Sequence, residues 1–272
     1  EDETALNEVM VVGYGTQKKS VVTGSITSVK ASELETMPVN RIEQSLQGRT
    51  SGLTIAANSG QPGEAATVRL RGVTSFRESA SNPLWVVDGI VVDNGGISYL
   101  NQSDIESIEV LKDAASQAIY GTRAAAGVIL ITTKRGKAGS IRVDYTGYYG
   151  TSAPARKLSL LNATQYATLR NEAAAADGKA LPFADPASYG EGTDWQEAIF
   201  NNDARRQNHE FSISGGGDKS TFYTSFGHLA QDGIVATDIS KYRRTNIRLN
   251  SEHKLAKWLT FGQNVGYAYN KS

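Results

Sequence analysis

Residues 104–134, DIESIEVLKDAASQAIYGTRAAAGVILITTK, constrain the fold more than any other stretch. Val128, Ile129, Leu130 and Ile131 are consecutive aliphatics. A strand that is apolar on both faces has to be covered on both faces, so this run marks the buried centre of a compact α+β domain. Ser103 followed by Glu106 has the spacing of a capping box and predicts a helical turn beginning there. Residues 108–111 then read as a strand, and residues 114–120 as a short helix closed by Gly121.

Upstream, residues 21–29 alternate weakly and predict a first strand. Ser32 with Glu35 and Asn40 with Glu43 provide two N-cap signals, the second opening a helix over 41–47 that stops at Gly48. Residues 53–55 read as a short strand, residues 60–63 as a turn. From 67 to 71, Val68 and Leu70 alternate with Arg69 and Arg71. Asp88-Gly89 between residues 84–87 and 90–92 is a strong hairpin signal. Ahead of all this, Glu8, Val9, Met10, Val11, Val12 and Gly13 form a short run of β-formers ended by glycine. That run is a first strand or an N-terminal tail, or else a segment that adds as a strand to the sheet edge of another protein, which needs only an extended backbone.

Beyond Lys137 the pattern becomes long and alternating. Ile141, Val143, Tyr145, Gly147 and Tyr149 share one face, with Arg142, Asp144, Thr146 and Tyr148 on the other. Phe211 and Ile213 oppose Glu210, Ser212 and Ser214; Thr245, Ile247 and Leu249 oppose Asn246, Arg248 and Asn250; Phe261, Val265, Tyr267 and Tyr269 oppose Thr260, Gly262 and Asn264. About five such strands are predicted, each clear one having an apolar face and a charged or amide face. Short connections at 215–219 and 254–257 alternate with longer ones at 152–206 and 231–242, the pattern of short periplasmic turns and long outer loops in membrane barrels. A soluble sandwich has the same period but turns its polar faces outward. In the long loop, Asn162 and Gln165 cap a predicted helix over Ala163–Ala176 that Gly178 stops, and a second helix is expected over 194–200. The aromatics Tyr145, Tyr148, Tyr149, Trp258, Tyr267 and Tyr269 lie near strand ends, where they form an interfacial girdle or stack on sugars.

Several of these segments resemble the plug domain of TonB-dependent outer-membrane transporters of the SusC/RagA branch. Besides residues 104–134 they are Leu46-Gln47-Gly48-Arg49, Val68-Arg69-Leu70-Arg71-Gly72, Asn82-Pro83-Leu84-Trp85-Val86-Val87-Asp88-Gly89 and Gly136-Lys137. Thr193-Asp194-Trp195, Ile199-Phe200 and Ser214-Gly215-Gly216 carry it into the second half. The resemblance implies an α+β plug, a mixed sheet with short helices, followed by the first antiparallel strands of a transmembrane β-barrel of about 22 strands. It divides the chain into an N-terminal segment (1–20) with a TonB box at Glu8 to Gly13, a plug (21–137) and barrel strands (138–272) with a first extracellular loop at 152–206. An open five-stranded sheet cannot sit in lipid, so the remaining strands are expected outside these residues.

What the resemblance implies about function is import of a glycan or peptide oligomer, energised by TonB with ExbB and ExbD and delivered by a SusD-like surface lipoprotein. The plug lies in the lumen of a barrel in the outer membrane of a Gram-negative bacterium, with its N-terminus periplasmic. A ligand receptor without transport, or a signal-transducing receptor, are the alternatives. Residues 16–20 are expected to be a short link through which force reaches the plug. Arg69 and Arg71 are read as plug–barrel ion-pair partners or as residues lining the substrate path.

Composition agrees with this reading. The 272 residues carry 28 basic and 28 acidic side chains, so bulk charge shows no nucleic-acid footprint. The absence of cysteine excludes disulfides and thiolate metal sites. No apolar stretch is long enough for a transmembrane helix, which leaves a β-barrel open. Residues 1–4 do not form a signal peptide. Residues 215–220, GGGDKS, lack the glycine a phosphate loop needs before its lysine and read as a hairpin turn. His209, His228 and His253 stand singly without ligand spacing, and no G-x-S-x-G signature occurs. Neither an enzymatic activity nor a cofactor or metal is expected.

Overall fold

The computed structural model describes residues 9–12, 15–18, 26–34, 41–76, 81–92, 97, 99–113 and 118–272. Its first half is built on a five-stranded sheet. The strands are β3 (Ile26–Lys30), β6 (Leu84–Val87), β7 (Ile90–Val92), β8 (Ile105–Leu111) and β9 (Val128–Thr133), in the order β3-β8-β9-β6-β7. β6 and β9 run parallel and the other pairs antiparallel. Both faces of the two central strands are covered. Trp85, Val87, Ile129 and Ile131 pack with Ile42 and Leu46 and with the separate hairpin of β4 (Leu53–Ala57) and β5 (Ala66–Leu70). Leu84, Val86, Val128 and Leu130 pack on the opposite side with Leu111, Ala124 and Tyr120. The four consecutive aliphatics thus serve two apolar layers, two side chains to each.

Local expectations meet the structure unevenly. At the β6–β7 hairpin Asp88 (φ 49°) and Gly89 (φ 86°) are both left-handed, the geometry of a type I′ turn. The helical turn expected from Ser103 and Glu106 stops earlier: a 3-10 turn covers Gln102–Asp104, and Ile105 already belongs to β8, opposite Thr133. Pairing with β9 and burial of Ile105 outweigh the local capping preference. The helix expected over 41–47 is the single turn α2 (Ile42–Ser45), after α1 (Ala31–Leu34), and Arg41 offers no side-chain cap. Of the helix expected at 114–120, residues 114–117 lie outside the described residues; Ala118–Ala124 forms 3-10 turns broken at Gly121 (φ 67°). Glu8 and Gly13, the ends of the expected coupling segment, also lie outside them. Residues 9–12 form β1 (Val9–Val12), paired with β2 (Gly15–Lys18), so the expected link at 16–20 is in part a strand.

The second half is one antiparallel sheet in sequence order: β10 (Gly139–Ser152), β11 (Ala204–Gly216), β12 (Ser220–Asp232), β13 (Lys241–Ala256) and β14 (Leu259–Lys271). The connection between β10 and β11 carries α3 (Ala163–Ala176). Its capping box is complete: Gln165 N–H donates to Asn162 Oδ1 at 2.8 Å, and Asn162 N–H to Gln165 Oε1 at 3.0 Å. A shorter α4 (Trp195–Ile199) is capped by Asp194, which accepts from Gln196 and Glu197. GGGDKS is the tight β11–β12 turn, closed by Gly217 N–H on Ser220 O at 2.8 Å.

One buried group in the first sheet is chemically costly. Glu109 of β8 lies opposite Ser28 and Leu130, is almost fully buried, and its Oε2 has no hydrogen-bond partner among the described residues. Burial, more than the Ser107 hydrogen bond can offset and with Glu106 adding repulsion, pushes its carboxyl up from 4.5 to about 7. The fold therefore favours protonated Glu109, and stability falls as pH rises from about 4.5 to about 7, then levels off. Replacement Glu109→Gln is expected to flatten this dependence, raising stability at pH 8 by roughly 3 kcal/mol and changing it little at pH 4.5. Hydrogen exchange of the β8–β9 amides at the two pH values measures it; an unchanged pH dependence in the variant contradicts the assignment.

Candidate functional site

The polar faces of β11–β13 are turned toward the first domain and the apolar faces away from it. Val143 is 58% exposed and Tyr267 64%, whereas Arg248 is 4% and Asn250 2%. Phe211, Phe226, Ile247, Phe261 and Val265 share the exposed side, while Asn208, Glu210, Ser225, Arg244 and Asn246 are buried. A sheet meeting water on its outside would be arranged the other way, since exposed contiguous aliphatic surface of this kind is stable only against lipid or protein.

Every second residue of β13 from 242 to 250 is on this inner face, and four of the five have a described contact with the first domain. At one end the Tyr242 ring covers Gly63, where a Cβ would stand 2.2 Å from Cδ2. Arg41 holds that loop from behind, donating to Gly63 O at 2.8 Å while pairing with buried Glu43 at 2.8 Å. Arg244 Nη2 donates to Asn101 Oδ1 at 2.9 Å. Asn101 reaches the wall only because position 227 is glycine: a Cβ there would lie 2.1 Å from Asn101 Nδ2. Arg248 stands 3.7 Å from Asp88 and 3.8 Å from Asp104, with its guanidinium 5.6 Å from the Tyr99 ring centre. Asn250 Nδ2 donates to Thr133 Oγ1 at 2.9 Å and to Lys134 O at 2.8 Å.

The two carboxylates facing Arg248 are held by the fold. Asp88, in the β6–β7 turn, accepts from Thr133 N–H at 3.0 Å and Thr133 Oγ1 at 2.7 Å. Asp104, ending its 3-10 turn, accepts from the Tyr223 hydroxyl of β12 at 2.8 Å. Asp88, Asp104 and Arg248 are all buried, so charge is matched across the interface where desolvation makes mismatch costly. Around them Asp104 Oδ2, Asn101 Nδ2, Asn246 Oδ1 and Nδ2, and Asn250 Oδ1 have no hydrogen-bond partner among the described residues. Such a seam holds the two bodies in register with buried polar contacts, so separation does not require pulling apart an apolar core.

The two arginines singled out from sequence have the following described contacts. Arg69 turns its guanidinium to Asn82 Oδ1 and the Val68 carbonyl, within the first domain. Arg71 is exposed and left-handed (φ 58°), its N–H donating to Gly52 O at 2.7 Å. Described plug–wall ion pairs use Asp88, Asp104 and Arg248. The sequence marks Asp88 only as a turn residue; the signal for its partner is the alternation of arginine and asparagine along β13. Of the six girdle candidates, Tyr148 belongs to the inner face, under Arg206 at 5.6 Å, whereas Tyr145, Tyr149, Trp258, Tyr267 and Tyr269 are exposed. Each histidine has an ordinary neighbour: Tyr145 for His209, Thr245 for His228, Ser220 and Ser251 for His253.

A small mixed sheet seated by buried charges against the polar side of an outward-apolar antiparallel wall defines a plug-and-barrel membrane protein. The family model for the TonB-dependent receptor plug domain matches residues 18–128. TonB-dependent receptor P26 of Formosa agariphila is 43% identical over 99% of this chain and 27% of its own length. TonB-dependent receptor SusC of Bacteroides thetaiotaomicron is 38% identical over 92% of this chain and 25% of its own. Among solved structures, the RagAB peptide importer in its open-open state superposes with TM-score 0.84 at 30% identity, covering 97% of this chain and 32% of that one. The siderophore receptor PirA of Acinetobacter baumannii shares the fold at TM-score 0.60 and 18% identity, over 92% of this chain and 32% of that one. The chain therefore belongs to the SusC/RagA family of TonB-dependent receptors, with the plug followed by the first strands of the barrel. It spans about a quarter of the length of the curated relatives it matches.

Proposed function

We propose that the protein imports a glycan or peptide oligomer across the outer membrane of a Gram-negative bacterium, as the transporter of a complex capped by a SusD-like lipoprotein. The observation that carries this is the inversion of the wall: charged and amide side chains are buried against the plug, and aliphatic and aromatic ones face outward. Domain limits at 20 and 137 follow from the same reading, with the plug in the lumen and the N-terminus in the periplasm. The segment from Glu8 to Gly13 is the TonB box, and TonB, driven through ExbB and ExbD, pulls on it. No step of this activity alters the substrate covalently. The resemblance to a RagAB peptide importer supports an oligomeric cargo. Arg69 and Arg71 pair with the barrel or line the path of the cargo. Deleting residues 8–13 is expected to abolish uptake while barrel assembly and substrate binding persist, read by growth on the cargo and by binding to whole cells. Uptake that survives the deletion contradicts the coupling role of these residues.

A further inference from the structure

Residues 9–12 are not a bare tail. Val9 lies opposite Lys18, Met10 opposite Gln17, Val11 opposite Thr16 and Val12 opposite Gly15. Among the described residues this pair is a sheet of its own, joined to no other strand. It therefore has two outer edges, and they differ. β1 reads VMVV, uncharged and mostly β-branched; β2 reads GTQK and ends in lysine. Uncharged edges of good β-formers recruit further strands, and lysine on an edge blunts that tendency. The hairpin's parity fixes which groups are available. Two residues separate Val12 from Gly15, so that pair exchanges hydrogen bonds inside the hairpin, and the N–H and C=O of Val11 point to the outer edge of β1. By the same alternation, those of Thr16 point to the outer edge of β2.

We infer that the hairpin is a preformed template: the coupling protein adds one extended strand to the outer edge of β1 while β2 stays paired behind it. This rests on the reading of residues 8–13 as the box and specifies how that box is engaged. A hairpin of four-residue strands is marginal alone, and a third strand stabilises it. Backing by β2 keeps β1 extended before the encounter, which lowers the ordering cost of strand addition. Force applied to β1 then has a route across the β1–β2 ladder as well as along the chain toward β3. The alternative engagement, in which the incoming strand displaces β2, requires the hairpin to open first.

A disulfide separates the two. Residues 1–272 contain no cysteine, so Val11→Cys with Thr16→Cys introduces the only thiols within them, at facing positions. Binding of the periplasmic domain of the host's TonB to the full receptor in detergent is compared before and after oxidation. The template predicts that the oxidised form binds at least as tightly as the reduced form. Loss of binding on oxidation with recovery in reductant shows displacement of β2 and overturns the inference, as does a pair that stays reduced under oxidant. Proline supplies the second readout, since it removes one edge N–H. Val11→Pro is expected to weaken TonB binding about tenfold or more, and Thr16→Pro to leave it within about twofold. The reverse order places the added strand on β2 and overturns it. If the unaltered receptor itself does not bind TonB, the box reading fails, a result distinct from either of those.

Discussion

Replacing Arg248 by methionine is expected to weaken plug seating by about 3–5 kcal/mol, the usual consequence of removing one partner of a buried charge cluster. Arg248 is the cation described between Asp88 and Asp104, and all three side chains are at most 5% exposed. Methionine fills much of the volume and keeps contact with Tyr99, so the loss isolates charge rather than packing. Asp88 retains its two bonds from Thr133 and Asp104 its bond from Tyr223, but neither donor carries a charge. Adding Asp88→Asn and Asp104→Asn to Arg248→Met is expected to recover much of the loss, because neutral amides need no counter-ion. Protease resistance of the plug and hydrogen exchange at β8 and β9 in the folded receptor measure both. A single variant that behaves as the parent, or a triple variant no better than the single one, contradicts the charge account.

Gly136→Ala is expected to be nearly as damaging, for a steric reason. A Cβ at position 136 would stand 2.3 Å from Phe222 O, 2.4 Å from its N and 2.6 Å from its C. These are main-chain atoms of β12, paired on both sides with β11 and β13, so they cannot give way as a side-chain tip can. The linker cannot retreat easily either: Lys134 donates to Asp104 O at 2.8 Å and accepts from Asn250 at 2.8 Å. One methyl group should therefore cost about 3 kcal/mol or more and displace the plug exit from the wall. Gly60→Ala is the control, since nothing lies within 4 Å of a Cβ there. Phe222→Ala should not rescue Gly136→Ala, because the obstruction is backbone. Rescue by that second change, or protease resistance of the plug equal in the two glycine variants, contradicts the clash.

The box deletion and the hairpin lock probe the other end of the same device.

Much of the architecture is legible in the sequence because it depends on neighbours a few residues apart. Val128–Thr133 announces a strand covered on both faces, Asp88-Gly89 a type I′ hairpin, and Asn162 with Gln165 a capped helix, each by backbone and side-chain geometry within one turn or one pleat. The alternation in β10–β14 likewise sets two faces of opposite character. Where local signals competed with pairing they lost: the capping pattern at Ser103 yielded to β8 joining β9.

The candidate site was not legible, although its residues were in plain view. Period-two alternation separates two faces but carries no sign; which face is inside is decided by what the sheet packs against. Packing against the plug aimed Arg248 between Asp88 and Asp104 and brought Asn101 to Arg244 across the space that Gly227 leaves open. Those partners are separated by more than a hundred positions, and nothing in the residues beside them encodes the meeting. Strands, turns and caps are thus fixed by short-range geometry, whereas charge matching at the seam exists only after the wall has closed on the plug. Water is excluded there, and its exclusion is what gives those few charges their energetic weight.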